Sequence, residues 1–245
     1  MSSEARTAEE LREKAWLVHT ILCREYECPI RYFHDMDPLS ELVSSLLSHR
    51  TRNADSGRAF KSLRASYPSW LDVRDAPTPD IERAISAVTW PEQKAPRIQQ
   101  VLAEITRRTG ALSLDFLSEM SVPDARAWLE ALPGVGPKTS AATLLFSRLR
   151  MPALPVDSHH HRVAIRLGLI RATLDVGRAH AVLEAQLPTG LTAQQVYDNH
   201  EVLMLHGQRC CFHRAPACHR CAVYDLCPTG QALHPRTSAE PELRE

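Results

Sequence analysis

Residues 132–138 read Leu132-Pro133-Gly134-Val135-Gly136-Pro137-Lys138, and the rest of the chain is most readily interpreted from them. Two glycines one residue apart permit a left-handed backbone and the close approach of another chain. Pro137 suits the first turn of a helix, where its missing N–H leaves nothing unpaired. Helical periodicity flanks the stretch, over 124–132 before it and 139–150 after it. The string therefore predicts two helices joined by a tight hairpin, with the backbone of Gly134, Val135 and Gly136 open at a helix N-terminus. Such a terminus suits a phosphate oxygen. A plain inter-helix turn is the other reading of the same residues.

Lys138 follows at the helix start, where the positive end of the helix dipole and partial burial both disfavour an ammonium. A neutral amine there is a nucleophile toward a sugar C1′ or an aldehyde; a solvated phosphate contact is the alternative. Asp157 lies in Leu154-Pro-Val-Asp-Ser-His-His-His-Arg-Val163, just before an amphipathic segment, and reads as its N-cap. A capping carboxylate can also stabilise an oxocarbenium ion and help move a proton from an attacking amine. His159, His160 and His161 are adjacent on a helix and point three ways. They read as a mixture of buried and phosphate-facing side chains, His159 among the latter, and not as a shared metal site.

Cysteines are concentrated near the end of the chain. Cys211, Cys218, Cys221 and Cys227 have the spacing C-x6-C-x2-C-x5-C, with Cys210 a spare thiol beside the first. Four thiolates so close together can hold one ion or cluster. Zinc sites usually show two short-spaced pairs and only one C-x-x-C occurs here, so zinc is the rival to a [4Fe–4S] cluster, and the preference for the cluster leans on the resemblance given below.

Elsewhere helical periodicity dominates: a first helix from about Ala8, then segments 41–49, 54–67, 81–87, 95–108, 158–167, 176–186 and 193–205. Proline and glycine signals separate them, and alternating β-branched runs are scarce, so the fold class is all-α. The tail from Ala232 reads as disordered. Over 245 residues the chain is 44% hydrophobic and 24% charged, which excludes collagen-like, coiled-coil and wholly disordered classes. No apolar run is long enough for a transmembrane helix, and the N-terminal MSSEARTAEELREKAW lacks the apolar core of a secretion signal. A cytoplasmic, reducing setting is expected, in which the seven cysteines form no disulfide framework.

Together, LPGVGPK, an aspartate about twenty residues later in VDSHHHRV, and the C-x6-C-x2-C-x5-C tail resemble the endonuclease III family of helix-hairpin-helix DNA glycosylases, which act in base-excision repair. The resemblance runs from about Glu10 to Pro228. It implies a six-helix barrel domain over 31–150 and a discontinuous domain, 1–30 with 151–231, holding a [4Fe–4S] cluster on Cys211, Cys218, Cys221 and Cys227. It implies DNA across the cleft between them, with Lys138 as a Schiff-base lysine facing Asp157 as the essential aspartate. The similar adenine-specific mismatch glycosylases lack this lysine and carry a long C-terminal extension. The lysine and the short tail therefore favour a bifunctional enzyme, which excises an oxidised pyrimidine from a flipped nucleotide and nicks the strand by β-elimination. A monofunctional or mismatch-directed glycosylase is the alternative, and a catalytically silent DNA-binding module with a zinc-stabilised tail a third reading. The expected partner is damaged double-stranded DNA, bound by a monomer, with no membrane involved.

The same resemblance makes Trp90, in Val88–Ala95, the wedge that fills the gap left by the flipped base, with a core tryptophan as the alternative. Arg50, in Leu47–Asn53, stands where the family usually offers a glutamine to the orphaned base; arginine can bond guanine bidentately. Two departures stand out. The Lys138–Asp157 interval is one residue longer than the family's, near Arg148–Pro152. The loop Phe212–Ala217 has one arginine, so its DNA contact should be weak and centred on Arg214 and His213. The net charge is zero, 29 bases against 29 acids, but the segment 134–171 holds six bases and one acid, so +5 there is balanced by −5 elsewhere. This predicts a basic strip, a brief local grip on DNA and a shallow salt dependence.

Overall fold

The computed structural model describes residues 7–235, and no strand occurs among them. Most helix starts are written in local capping chemistry. Thr7 and Glu10 cap α1 (Ala8–Glu25) reciprocally. The Asp37 carboxylate accepts from the Ser40 N–H to open α2 (Pro38–Ser48). After α3 (Asn53–Ser66), Ser69 and Asp72 form a second capping box at α4 (Trp70–Asp75). Then come α5 (Thr78–Ala84) and α6 (Pro91–Thr109), followed by α7 (Val122–Glu130), capped by Ser121. Next are α8 (Pro137–Phe146), α9 (Ser158–Leu167), α10 (Val176–Glu184), α11 (Ala193–Arg209) and α12 (Pro228–Leu233).

Several boundaries differ from the sequence expectation. α4 is too short to carry a readable period. α6 starts at Pro91 and runs through Pro96, because its buried stripe of Ala95, Ile98, Val101, Leu102 and Ile105 outweighs the hydrogen bond Pro96 gives up. α8 stops at Phe146 and not at Arg150: Arg150 takes φ 48°, and the Met151 N–H returns to the Leu144 carbonyl at 3.0 Å. Ala232 and Leu233 close α12 and are not part of a tail; residues 236–245 lie outside the described residues.

The chain divides into two compact units. The hairpin unit comprises Arg31–Pro155 and Thr192–Tyr197. Its core includes Leu42, Leu47, Leu63, Ile81, Leu102, Leu129 and Leu144, together with Met151 and Ala153. α8 is buried all round from Thr139 to Leu145, with α2 and α7 packed against it. Such an apolar cylinder is stable only at the centre of a bundle.

The cysteine unit comprises Met1–Ile30, Val156–Leu191 and Asp198–Glu245. Within it α9 packs on α10 and α12, and Lys14 of α1 donates to the Leu167 carbonyl at the end of α9. α9 also meets α11 closely, since a Cβ on Gly207 would fall 2.8 Å from the Cβ of His159. Cys23, in the last turn of α1, and Cys28, just beyond it, form one local disulfide, and the other five cysteines are free thiols.

Two glycine substitutions test this packing. A Cβ at Gly57, inside α3, would meet nothing within 4 Å. Gly57→Ala should therefore raise stability by about 0.5–1 kcal/mol, by removing backbone freedom from the unfolded chain. Gly207→Ala should lower it by forcing α9 and α11 apart. Thermal melts of both variants check the pair; a neutral or stabilising Gly207→Ala would rule out the close approach.

Candidate functional site

In the hairpin, Gly134 takes φ 75°, and the Val135 N–H closes the turn on the Leu132 carbonyl at 3.2 Å. Val135 is itself buried in the core and anchors the turn, so the open backbone of the hairpin is that of the flanking Gly134 and Gly136. Gly136 caps α8, its carbonyl accepting the Thr139 and Ser140 N–H groups at 2.9 Å each. Ser140 Oγ donates to Glu130 Oε1 at 2.7 Å and ties α8 to the end of α7. Lys138 is half-buried in the first turn of α8. Its charge reaches His49: burial first, then Lys138 and Lys94, push the His49 pKa below its ordinary value. His49 is thus a neutral imidazole at neutral pH, its Nε2 2.9 Å from Thr139 Oγ1.

Arg50 and Trp90 come together beside the hairpin. Both adopt left-handed backbone, φ 49° and 57°, which costs about 1–3 kcal/mol for each non-glycine residue. The Arg50 guanidinium lies 5.8 Å from the Trp90 ring centroid. Lys94 Nζ donates to the Leu47 carbonyl at 2.7 Å, to the His49 carbonyl at 2.8 Å and to Thr51 Oγ1 at 2.8 Å. Thr89 adds two bonds, Oγ1 donating to the Arg50 carbonyl and its N–H to Thr51 Oγ1. Burial lowers the Lys94 pKa to about 8, still a cation at neutral pH. Trp90 is 43% exposed and Val88 takes the buried position in its loop, so the core-tryptophan alternative does not hold. Arg50, Trp90, His49, Lys94, Arg97 and Gly134 line one groove of this unit.

In the cysteine unit, Asp157 caps α9, its Oδ1 accepting the His160 N–H at 2.7 Å. Burial alone would raise its pKa. The His200 charge and the His160 N–H, with smaller help from His159, outweigh burial and hold the carboxyl below its ordinary value. The three adjacent histidines do diverge. His159 Nδ1 lies 3.2 Å from Arg162 Nη2, and His161 Nε2 lies 2.8 Å from the Leu174 carbonyl. His160 is buried, and burial pulls its pKa down to about 3.

All five late cysteines line a single cavity with apolar walls from Val163, Leu167, Val223 and Leu233. Cys211 Sγ takes an N–H from Arg166 at 3.2 Å, and Cys227 Sγ takes the Gly230 N–H at 3.2 Å. Burial raises the thiol pKa of Cys218 and Cys227, and that of Cys221 to about 12, a penalty on thiolates that a bound cation would reverse. A soft donor set, sulfur-directed N–H groups and apolar walls fit a metal centre. The tightest grouping of ligand atoms is His206, Cys210 and Cys221, all within 4.8 Å of one another, so Cys210 is no remote bystander.

The arginines of the expected basic strip are largely occupied. Arg148 pairs with Asp115 at 2.8 Å and Arg150 with Asp35 at 3.1 Å, both in the hairpin unit. In the cysteine unit Arg162 donates to the Gly207 and Cys211 carbonyls, and Arg166 to those of Phe212 and His213. Arg214 is exposed in the same loop. The sequence reading missed His49, Lys94, Arg97, His200, Glu201 and His206, whose surroundings are made by distant segments. His206 four residues before Cys210, and Lys94 and Arg97 four and seven residues after Trp90, were the local hints.

No family model matches the chain. An Arabidopsis thaliana protein named provisionally as a DNA glycosylase is 35% identical over 172 residues, 70% of this chain; the chain spans 57% of that relative's length. The endonuclease III of Thermotoga maritima is 30% identical over 197 residues, 80% of this chain and 85% of that protein. A trapped covalent intermediate of endonuclease III with DNA has the same fold, with a TM-score of 0.74 at 23% identity over 94% of this chain and 99% of that one. A relative as similar as the Thermotoga maritima protein, matched over 80% of this chain and 85% of its own length, shows that the chain belongs to the endonuclease III family of helix-hairpin-helix DNA glycosylases.

Proposed function

We propose that this chain is a base-excision DNA glycosylase and AP lyase that removes an oxidised pyrimidine from duplex DNA. The observation that carries the reading is the lysine in the first turn of α8, behind a hairpin whose backbone opens at a helix N-terminus. The hairpin N–H groups take a phosphate oxygen. The damaged nucleotide turns out of the stack, and the exposed Trp90 ring fills the opened step. Arg50 meets the orphaned base and favours guanine through two parallel bonds.

Lys138 gives its ammonium proton to solvent, and the neutral amine then attacks C1′. A bond forms between Nζ and C1′, and the glycosidic bond breaks with its electron pair leaving on the base, which takes up a proton. The ionised Asp157 carboxylate opposes the positive charge developing at C1′ and assists removal of the amine protons, so that the ring opens to an imine. Loss of a C2′ proton expels the 3′ phosphate and nicks the strand. Cys211, Cys218, Cys221 and Cys227 would hold a [4Fe–4S] cluster, which when bound supplies a fixed cross-link for the loop 212–217.

Borohydride trapping on lesion duplexes tests the lyase step. Wild type should form a covalent adduct, Lys138→Gln none, and Asp157→Asn one formed about 10²-fold more slowly or worse. Base release with an intact abasic site and no adduct would mean a monofunctional enzyme with Lys138 on a phosphate. The purified protein should be brown, with iron and sulfide in equal amounts, and Cys211→Ala should lose both; zinc without iron would overturn the cluster. Arg50→Gln should relax a preference for guanine opposite the lesion by roughly 5- to 100-fold, the worth of a bidentate pair. Unchanged opposite-base ratios in cleavage assays would remove Arg50 from base reading.

A further inference from the structure

We propose that Glu201 is a positioning residue that holds a proton beside Asp157 and keeps the negative charge of this buried acid cluster on Asp157. The inference rests on the role proposed above for Asp157. Glu201 lies on α11, three residues after Asp198 and on the same helical face. α11 packs directly on α9, where the His160 and His200 ring centroids are 6.1 Å apart and Gly207 abuts His159. Two carboxyl groups of the cysteine unit, Asp157 and Asp198, thus both act on Glu201 at this seam.

Their hydrogen-bond partners differ. Asp157 accepts the His160 N–H at 2.7 Å, and Asp198 Oδ1 accepts the Ile30 N–H at 2.8 Å. Glu201 is only 1% exposed, and its Oε2 has no hydrogen-bond donor among the described residues. An ionised carboxylate only accepts, so a buried oxygen with no donor is far less costly on the protonated acid. The surroundings add to this: burial first, then the charges of Asp157 and Asp198, raise the Glu201 pKa to about 7. The other titratable groups facing the cluster are His159 and His160 on α9, His200 on α11, His180 on α10 and His19 on α1. His160 is held neutral by burial and supplies no cation. As pH rises through neutrality, Glu201 gives its proton to solvent, and a second charge beside Asp157 raises the proton affinity of Asp157.

Thermal melts of the holoprotein across pH 5–9 read this proton without any substrate. The folded state binds it more tightly than the unfolded chain, so the Glu201 contribution to stability is full at low pH and is lost as pH rises through about 7. Glu201→Gln should therefore gain Tm relative to wild type as pH climbs, by roughly 5 °C or more above pH 8. In an Asp157→Asn background the same gain should shrink and level off at lower pH, since one of the opposing charges is gone. A gain independent of pH, or one unaltered by Asp157→Asn, would overturn the proposal. Should Glu201→Gln fail to fold, the infrared carbonyl band of a buried protonated carboxyl in wild type, lost as pH passes about 7, reads the same group; its absence at pH 6 would overturn the proposal. In single-turnover base release, the ionisation near pH 7 should disappear in Glu201→Gln. A protein that shows the Asp157-dependent stability gain yet releases no base from any lesion duplex refutes the glycosylase reading and leaves the proton on Glu201 standing.

Discussion

One ammonium group organises the hairpin unit's groove. Lys94, near the start of α6, donates to two carbonyls at the end of α2 and to the Thr51 hydroxyl. Those carbonyls have outlived their helix and lack N–H partners within it, so a cation is the efficient way to satisfy them. The cross-link brings Arg50 and Trp90 together and holds each in left-handed backbone. Together with the two Thr89 bonds it offsets a strain of about 1–3 kcal/mol per residue. The groove is therefore rigid because of a residue with no obvious chemistry of its own, while the residues with evident chemistry occupy the strained positions.

The cysteine unit uses its cations the same way. Arg162 and Arg166 point into the loop that follows α11 and satisfy the carbonyls of Gly207, Cys211, Phe212 and His213. A count of charges along the chain treats these arginines as available to phosphates, and they are not: a guanidinium with two or three carbonyls in its fork is already committed. The +5 segment is real as arithmetic, but it is divided between two units and largely spent internally. For the DNA grip proposed above, this shifts the weight to backbone N–H groups at the hairpin and to Arg50 and Arg97 in the groove.

The helices were legible where a capping residue and an apolar stripe coincided. α9 is the clearest case, with Asp157 before it and Gly168 after it in left-handed backbone. They were less legible at prolines. Pro91 and Pro96 signal breaks, yet α6 contains both, because five buried apolar residues on one stripe outweigh the bond lost at Pro96. At α8 the error runs the other way: periodicity continues past Phe146, but the chain turns at Arg150 so that Met151 can bond back to Leu144. Cys210 shows the same limit for the metal centre. Spacing makes it a spare thiol, whereas its position beside His206 and Cys221 depends on how α11 ends.

The features that could be read along the chain are those built within a turn or two of backbone: the hairpin of Gly134–Pro137, the Asp157 cap on His160, and four thiols in one short loop. Short-range geometry is nearly fixed by residue type, so residue types suffice to specify it. Protonation and positioning are different. His49 meets Thr139 across 90 residues, Lys94 reaches Leu47 across 47, and Glu201 owes its raised pKa to burial and to a carboxylate on another helix. Desolvation and Coulomb interactions depend on what surrounds a group in space, and only the folding of distant segments against one another supplies those surroundings.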